Sequence, residues 1–494
     1  CAILVQKAAK RRLAEKMGNT NKIMIKLRIV AIATAFALLA SSLVVAVPEG
    51  HGITIQEERE LSREFMAVVR ARFPLIEDPI IVDYVNRVGQ RILANIPPQP
   101  FTYQFYVLRE DTYNAFATPA GHIFFNSGLF AALESEEELA GIIGHEIAHV
   151  VCRHISDRIE SSKKINVATL AGMVAGVLLG VGGGGAAASA VSMGSVAAGQ
   201  SAALAYSRQN EIQADQLGLE YLTTAGYSGE GLLTSLKKIR SKQWYGSEQV
   251  PTYLTTHPAS EARMSYIDNW LHQNRSKVAQ KREELGGFAL AHTRLVALYT
   301  DEQAALNRFK STLAASADDP MAHYGYALAL TRMDRWHEAS EHMKEAIEGN
   351  AMAAHMLADL GRIYYHDGQY EKALRALSTL SADQSLEGQL YLGRTQLQLG
   401  RIAEAKAIFE NLVRYNEGFT QALYFLGESS GRLGDMFGAH YYLGRYYQQK
   451  LDLKNARFHL QRALKMAIDD TQKQMAERQL KTLDPEIVAP PDSG

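Results

Sequence analysis

Apolar residues recur along this chain in three rhythms. Leu139, Ile142, Ile143, Ile147, Val150 and Val151 fall at helical spacing and predict a helix buried in a core. Ser135 marks its start as a serine N-cap. Glu136, Glu137 and Glu138 follow, supplying a capping-box glutamate and an acidic first turn that complements the helix dipole. Upstream the period falls to two over 101–108, followed by a short strand at 114–118, a turn at Pro119-Ala120-Gly121 and a last strand at 122–126, which predicts a small sheet. Beyond Lys277 the rhythm becomes one of helical hairpins. Leu360-Gly361-x-x-Tyr364 with Gly368, Tyr370 and Ala373 matches the tetratricopeptide pattern, and Leu392-Gly393, Gly400, Ala405 and Phe409 repeat it at a period close to 34. Leu426-Gly427 with Gly434 adds a unit, Leu443-Gly444 an overlapping one and Trp336 a weaker early one, which predicts four or five hairpins with a concave face for protein partners.

Composition narrows this picture. The 494 residues suffice for two or three domains, and 52 basic against 53 acidic residues leave a formal charge of −1, so nothing suggests a nucleic-acid partner. Two cysteines, Cys1 and Cys152, exclude a disulfide framework; Cys152 is read as a small buried apolar residue on the helix that begins at Glu136. From Met24, a basic n-region with Lys26 and Arg28, an apolar stretch over 29–40 and Val44-Val45-Ala46 make residues 24–46 a signal peptide. Residues 1–23 then read as an overextended start. An uncleaved anchor is the open alternative. The interval 165–207 has no charged residue and includes Gly182-Gly183-Gly184-Gly185. Only 167–181 approaches spanning length, so the interval is read as a lid or small-residue helices, with a peripheral membrane contact as the alternative.

The candidate chemistry lies on the buried helix. In His145-Glu146-Ile147-Ala148-His149 the two histidines are four residues apart, about 40° round a helix, and so share one face. They are read as ligands of one Zn²⁺, with Glu146 as the general base beside the open coordination position. A catalytic zinc needs a third protein ligand. Glu211 is the candidate, with Asp215 one turn on to accept the outward ring N–H of a ligand histidine. His154 lies nine residues after His145, about 900° of rotation, so it is expected on nearly the opposite face in a structural role.

His145-Glu146-x-x-His149 and Glu211-x-x-Ala214-Asp215, with Asn114-Ala115-Phe116-Ala117, Gly121-His122-Ile123-Phe124-Phe125, Thr256-His257-Pro258 and Arg263, resemble the family that includes the CAAX prenyl endopeptidase and the heat-shock protease HtpX. The resemblance covers roughly residues 55–275. It implies a gluzincin endopeptidase with one zinc per chain, and roles for His257 and Arg263 as oxyanion donors. A second role fits His257 equally: a loop imidazole that takes the fourth zinc position and holds the enzyme latent. The resemblance also favours His122, Ile123, Phe124 and Phe125 as an edge strand over the zinc, on which an extended peptide adds.

The sequence therefore predicts an α+β fold: a mostly helical zinc peptidase domain with a small β-sheet over 47–277, an all-α tetratricopeptide solenoid over 285–482 and a flexible tail over 483–494. The catalytic core is expected to close its metal site without the repeats. Leader, motifs and repeat tail together resemble periplasmic members of that family. This implies unfolded or stalled envelope proteins as substrates, and possible contact of the repeats with the outer-membrane assembly machinery. The competing class is a non-catalytic repeat scaffold or chaperone.

Overall fold

The computed structural model describes residues 53–161, 206–244, 252–258, 260–278, 285–348, 353–381 and 385–483. The start at 1–23, the leader at 24–46, the interval 165–207 apart from its last two residues, and the tail after 483 lie outside them.

Helix α1 (Ile55–Arg72) leads into β1 (Leu75–Ile76). Asp78 then caps α2 (Pro79–Leu93): its carboxylate accepts from the Ile80 amide, and Pro79 occupies the first turn, where no N–H is needed. Strands β2 (Gln104–Leu108), β3 (Ala115–Thr118) and β4 (His122–Asn126) complete a sheet of order β1-β2-β4-β3. β2 and β4 run parallel with Gln104 opposite His122, while β3 returns antiparallel with Thr118 opposite His122.

That order corrects the reading of residues 122–125. β4 is interior and paired on both sides, so His122, Ile123, Phe124 and Phe125 offer no free main-chain edge; the edge is β3. The turn at Ala120 (φ 61°) and Gly121 (φ 86°) makes β3 and β4 an antiparallel pair, and the parallel pairing of β4 with β2 leaves β3 on the outside. Phe105, Val107, Ile123 and Phe125 face the main core, and Phe116 and Phe124 face Phe65, Met66 and Val69 of α1.

After α3 (Ser127–Ala132) comes α4 (Glu136–Val151), buried from Glu136 to Val150. Ser135 Oγ accepts from the Glu138 amide at 3.2 Å, and the Glu138 carboxylate turns back to the Glu134 amide at 2.7 Å, one residue before the cap. The acidic turn is also a tether. Glu136 accepts from the hydroxyls of Tyr84 and Tyr227 and from the Leu285 amide, and Glu137 accepts from the Ser228 amide and hydroxyl.

The remaining elements before the repeats are α5 (His154–Ser161), α6 (Arg208–Thr224), α7 (Glu230–Trp244), α8 (Thr252–Thr256), α9 (Glu261–Gln273) and α10 (Arg275–Val278). Helix α4 packs on α6 and α7 through glycines. A Cβ on Gly218 would lie 3.3 Å from Gly144 O, and one on Gly231 would lie 1.8 Å from Glu137 O. Backbones approach here closely enough to fix the distance from α4 to the helix bearing Glu211. Cys152 is half-buried and caps α4 rather than lying inside it.

Twelve helices from Phe288 to Lys481 form six pairs among the described residues, more than the motifs alone indicate. The first pair, α11 (Phe288–Tyr299) with α12 (Glu302–Ala315), carries no readable repeat signature because α11 serves two cores. Ala291 and Leu295 belong to the core around the sheet and α4, whereas Leu290, Val296 and Ala297 belong to the core of the repeats. Phe288 packs on Tyr84 and Phe130, and His292 Nε2 donates to Ala131 O. Buried between them, Arg294 meets Asp78 Oδ2 at 2.5 Å, Asp359 Oδ2 at 2.5 Å and the Tyr324 hydroxyl at 2.9 Å. The core around α4 is thus completed by a helix beyond residue 285.

Candidate metal centre

Helical spacing on α4 brings the His145 and His149 Nε2 atoms to 3.0 Å from one another. Glu211, in the first turn of α6, places Oε1 at 3.4 Å from His149 Nε2 and Oε2 at 3.6 Å from His145 Nε2. His257, directly after α8, sets Nδ1 at 3.1 Å from Glu211 Oε1 and 3.4 Å from His145 Nε2. All four residues are buried, and one possible ligand atom from each lies within 4.8 Å of the rest. Two nitrogens on one tetrahedral zinc would sit about 3.3 Å apart. The cluster therefore has the donor types and spacing of a metal site.

Glu146 lies beside this cluster. Its Oε1 is 3.6 Å from His257 Nε2; both carboxylate oxygens and that nitrogen are buried with no side-chain hydrogen-bond partner, and the Ala117 amide approaches the carboxylate from the backbone. Orphaned buried acceptors of this kind mark a site completed by something else, such as an ion or water. Burial raises the Glu146 pKa, against the pull of His257 and His145. A carboxylate that resists ionisation is a better base.

Charge orders the rest. Burial lowers the affinity of His145 for a proton, but Asp215 and Glu211 outweigh it and bring its pKa up to about 9. For His149 burial dominates, and its pKa falls well below the usual value. Burial works against ionised Glu211 and Asp215 too, yet His257 and Arg263 hold the first, and Arg263 the second, below the carboxylate range.

Asp215 Oδ1 stands 3.0 Å from His145 Nδ1, on the side away from the cluster. Arg263 differs from its expected role as an oxyanion donor. Its Nε and Nη2 bond Asp215 at 2.7 and 2.6 Å, and its Nη1 bonds Pro258 O at 3.1 Å and contacts Glu211 Oε2. A guanidinium so fully engaged positions carboxylates and has no fork free for a substrate. His257 sits in the bend just after α8, where its ring stacks on Tyr253 at 4.6 Å and its amide donates to Tyr253 O. His122 lies elsewhere, with Nδ1 3.2 Å from the Tyr106 hydroxyl.

His154 is the residue that sequence reasoning placed wrongly. Its Nδ1 lies 2.9 Å from His149 Nδ1, because α4 ends at Val151 and Arg153 (φ 54°) reverses the chain, so helical rotation cannot be carried through to residue 154. Tyr206, also unforeseen, stacks on His149 at 3.9 Å.

The signature of peptidase family M48 matches residues 82–271, an interval that contains the whole cluster, its base and its buried supports. Residues 82–271 belong to peptidase family M48. Tetratricopeptide-repeat signatures match residues 332–384 and 390–450. The beta-barrel assembly-enhancing protease of Escherichia coli K12 is 27% identical over 418 residues, which cover 82% of this chain and 83% of that protein. A putative beta-barrel assembly-enhancing protease of Vibrio cholerae is 30% identical over 306 residues, 60% and 62% of the two chains. The mitochondrial metalloendopeptidase OMA1 of Schizosaccharomyces pombe is 26% identical over 196 residues, 38% and 52%. The M48 domain is thus that of a metallopeptidase with a buried candidate metal site, joined to helical repeats.

Proposed function

We propose that this protein is a zinc-dependent endopeptidase of the bacterial periplasm that acts in quality control or assembly of outer-membrane proteins. The observation carrying the reading is the convergence of His145, His149, Glu211 and His257 beside a buried Glu146 with no side-chain partner. His145, His149 and Glu211 would hold the ion. Zinc supplies Lewis-acid polarisation of a carbonyl and lowers the pKa of water. Glu146 takes the proton of the attacking water and passes it to the leaving amine. β3, the free strand edge that packs against α4, is where an extended peptide would pair through its main chain.

His257 is read as a latency ligand rather than an oxyanion donor. Its ring contacts both Glu211 and Glu146, the place where ligand and base would otherwise meet water. The leader pattern at 24–46 and the names of the relatives support the envelope setting. Repeats of this type support recruitment of protein partners, with unfolded or stalled outer-membrane proteins as the substrate class. Among the described residues no helix is long and apolar enough to cross a membrane.

Metal analysis and casein digestion of wild type and Glu146→Gln test the reading together. The variant should keep its zinc and lose proteolysis, since an amide cannot take the proton, whereas His149→Ala should lose both. Undiminished digestion by Glu146→Gln would remove the base from the mechanism, and a wild type that neither holds zinc nor digests casein would leave the repeat scaffold as the surviving alternative.

A further inference from the structure

We propose that His154 and Gln213 form a neutral hydrogen-bond relay that holds His149 in its metal-binding tautomer and ties it to the helix bearing Glu211. The inference rests on the metal reading above and deepens it. His149 directs Nε2 toward Glu211 and His145, so that nitrogen must keep its lone pair and the ring proton must sit on Nδ1. His154 Nδ1, 2.9 Å away, is the acceptor. Accepting there leaves His154 protonated at Nε2, which lies 3.0 Å from Gln213 Oε1. Every donor then meets an acceptor, and with His149 Nε2 kept for the metal no other arrangement of protons on two neutral rings satisfies the chain.

The two ligand histidines are therefore supported by different chemistry. Behind His145 stands a charged pair, Asp215 with Arg263; behind His149 stand two neutral side chains. Neutrality suits the site. Glu211 and Asp215 already share the buried Arg263 guanidinium, and a further carboxylate behind His149 would add a buried charge with no guanidinium beside it among the described residues. Both supports end on α6, since Gln213 and Asp215 follow Glu211 on the same helix. The left-handed turn at Arg153, unfavourable for a residue with a side chain, is what delivers His154 to the back of the His149 ring.

Zinc dissociation constants of the full-length protein, measured by chelator competition and paired with melting of the metal-free protein, test the relay. His154→Ala should weaken zinc binding by about 10- to 100-fold, as loss of an outer partner of a ligand histidine does. Gln213→Leu should weaken it less, and His154→Gln, whose amide oxygen can accept from His149, should recover most of the loss. Because the links act in series, the double variant His154→Ala/Gln213→Leu should bind no worse than His154→Ala alone. Wild-type affinity in His154→Ala, or additive losses in the double variant, would overturn the proposal. So would a fall in metal-free melting temperature with no recovery by His154→Gln, which would make His154 a packing residue. A wild-type protein that holds no zinc would instead defeat the metal reading itself.

Discussion

Arg263 is the residue on which the buried charges depend. Its guanidinium spans Asp215 and Glu211, two carboxylates that burial alone would drive toward their neutral forms. Arg263→Lys keeps the charge but loses the planar fork, so we expect a lower melting temperature and weaker zinc binding in parallel. Weaker proteolysis with stability and zinc unchanged would instead restore the oxyanion role. For His257→Ala the latency role predicts higher basal cleavage or self-cleavage, while loss of an oxyanion donor would slow turnover by about 100-fold; kinetics on a model peptide give the sign. At this scale much was legible: His145, Glu146 and His149 share a helix whose period is written in the sequence, and Glu211 and Asp215 lie one turn apart on another. His154 was not, because a left-handed turn at an arginine leaves no mark in composition or periodicity. The engagement of Arg263 was hidden too, since it depends on Asp215, 48 residues away, being buried beside it.

Elements were legible individually and less so in their arrangement. The strand at 122–126 was visible, but alternation of apolar residues cannot say whether a strand is interior or edge, and the parallel pairing of β2 with β4 decided that. Packing between helices was equally invisible until the glycines were seen against their neighbours. Gly231→Ala would drive a Cβ into Glu137 O, so α7 must back away from α4, and we expect a loss of roughly 1–3 kcal/mol in denaturant unfolding. Helix α11 adds a pH dependence. Burial holds the His292 pKa down to about 4, against a hydrogen bond to Ala131 O, so the unfolded chain takes up the proton first as pH falls. The contribution of His292 is thus complete above about pH 6.5 and lost progressively toward pH 4, by up to roughly 3 kcal/mol. His122, likewise held near 4 by burial and by Arg70, titrates in the same window. The difference between wild type and His292→Gln in melting temperature against pH isolates the α11 term; parallel curves would refute it.

For the molecule as a whole, the sequence suggests two modules in series, and the structure makes them share a helix. A chain ending at Lys277 would lose Phe288, Ala291 and Leu295 from the peptidase core and the Leu285 amide from Glu136. We expect it to aggregate or to lose its zinc, whereas a chain ending after Ala315 should retain both fold and metal; melting curves and metal content distinguish them. The motifs could not reveal this, because Arg294 finds Asp78 across 216 residues and Asp359 across 65. That arginine also has a mechanical meaning. Pulling either helix away would strand a buried charge, which costs about 3–5 kcal/mol. The solenoid is therefore held as a stiff handle rather than a leash, and torque from a partner gripping the early repeats would pass through Arg294 to the capped end of α2 instead of dissipating in a joint.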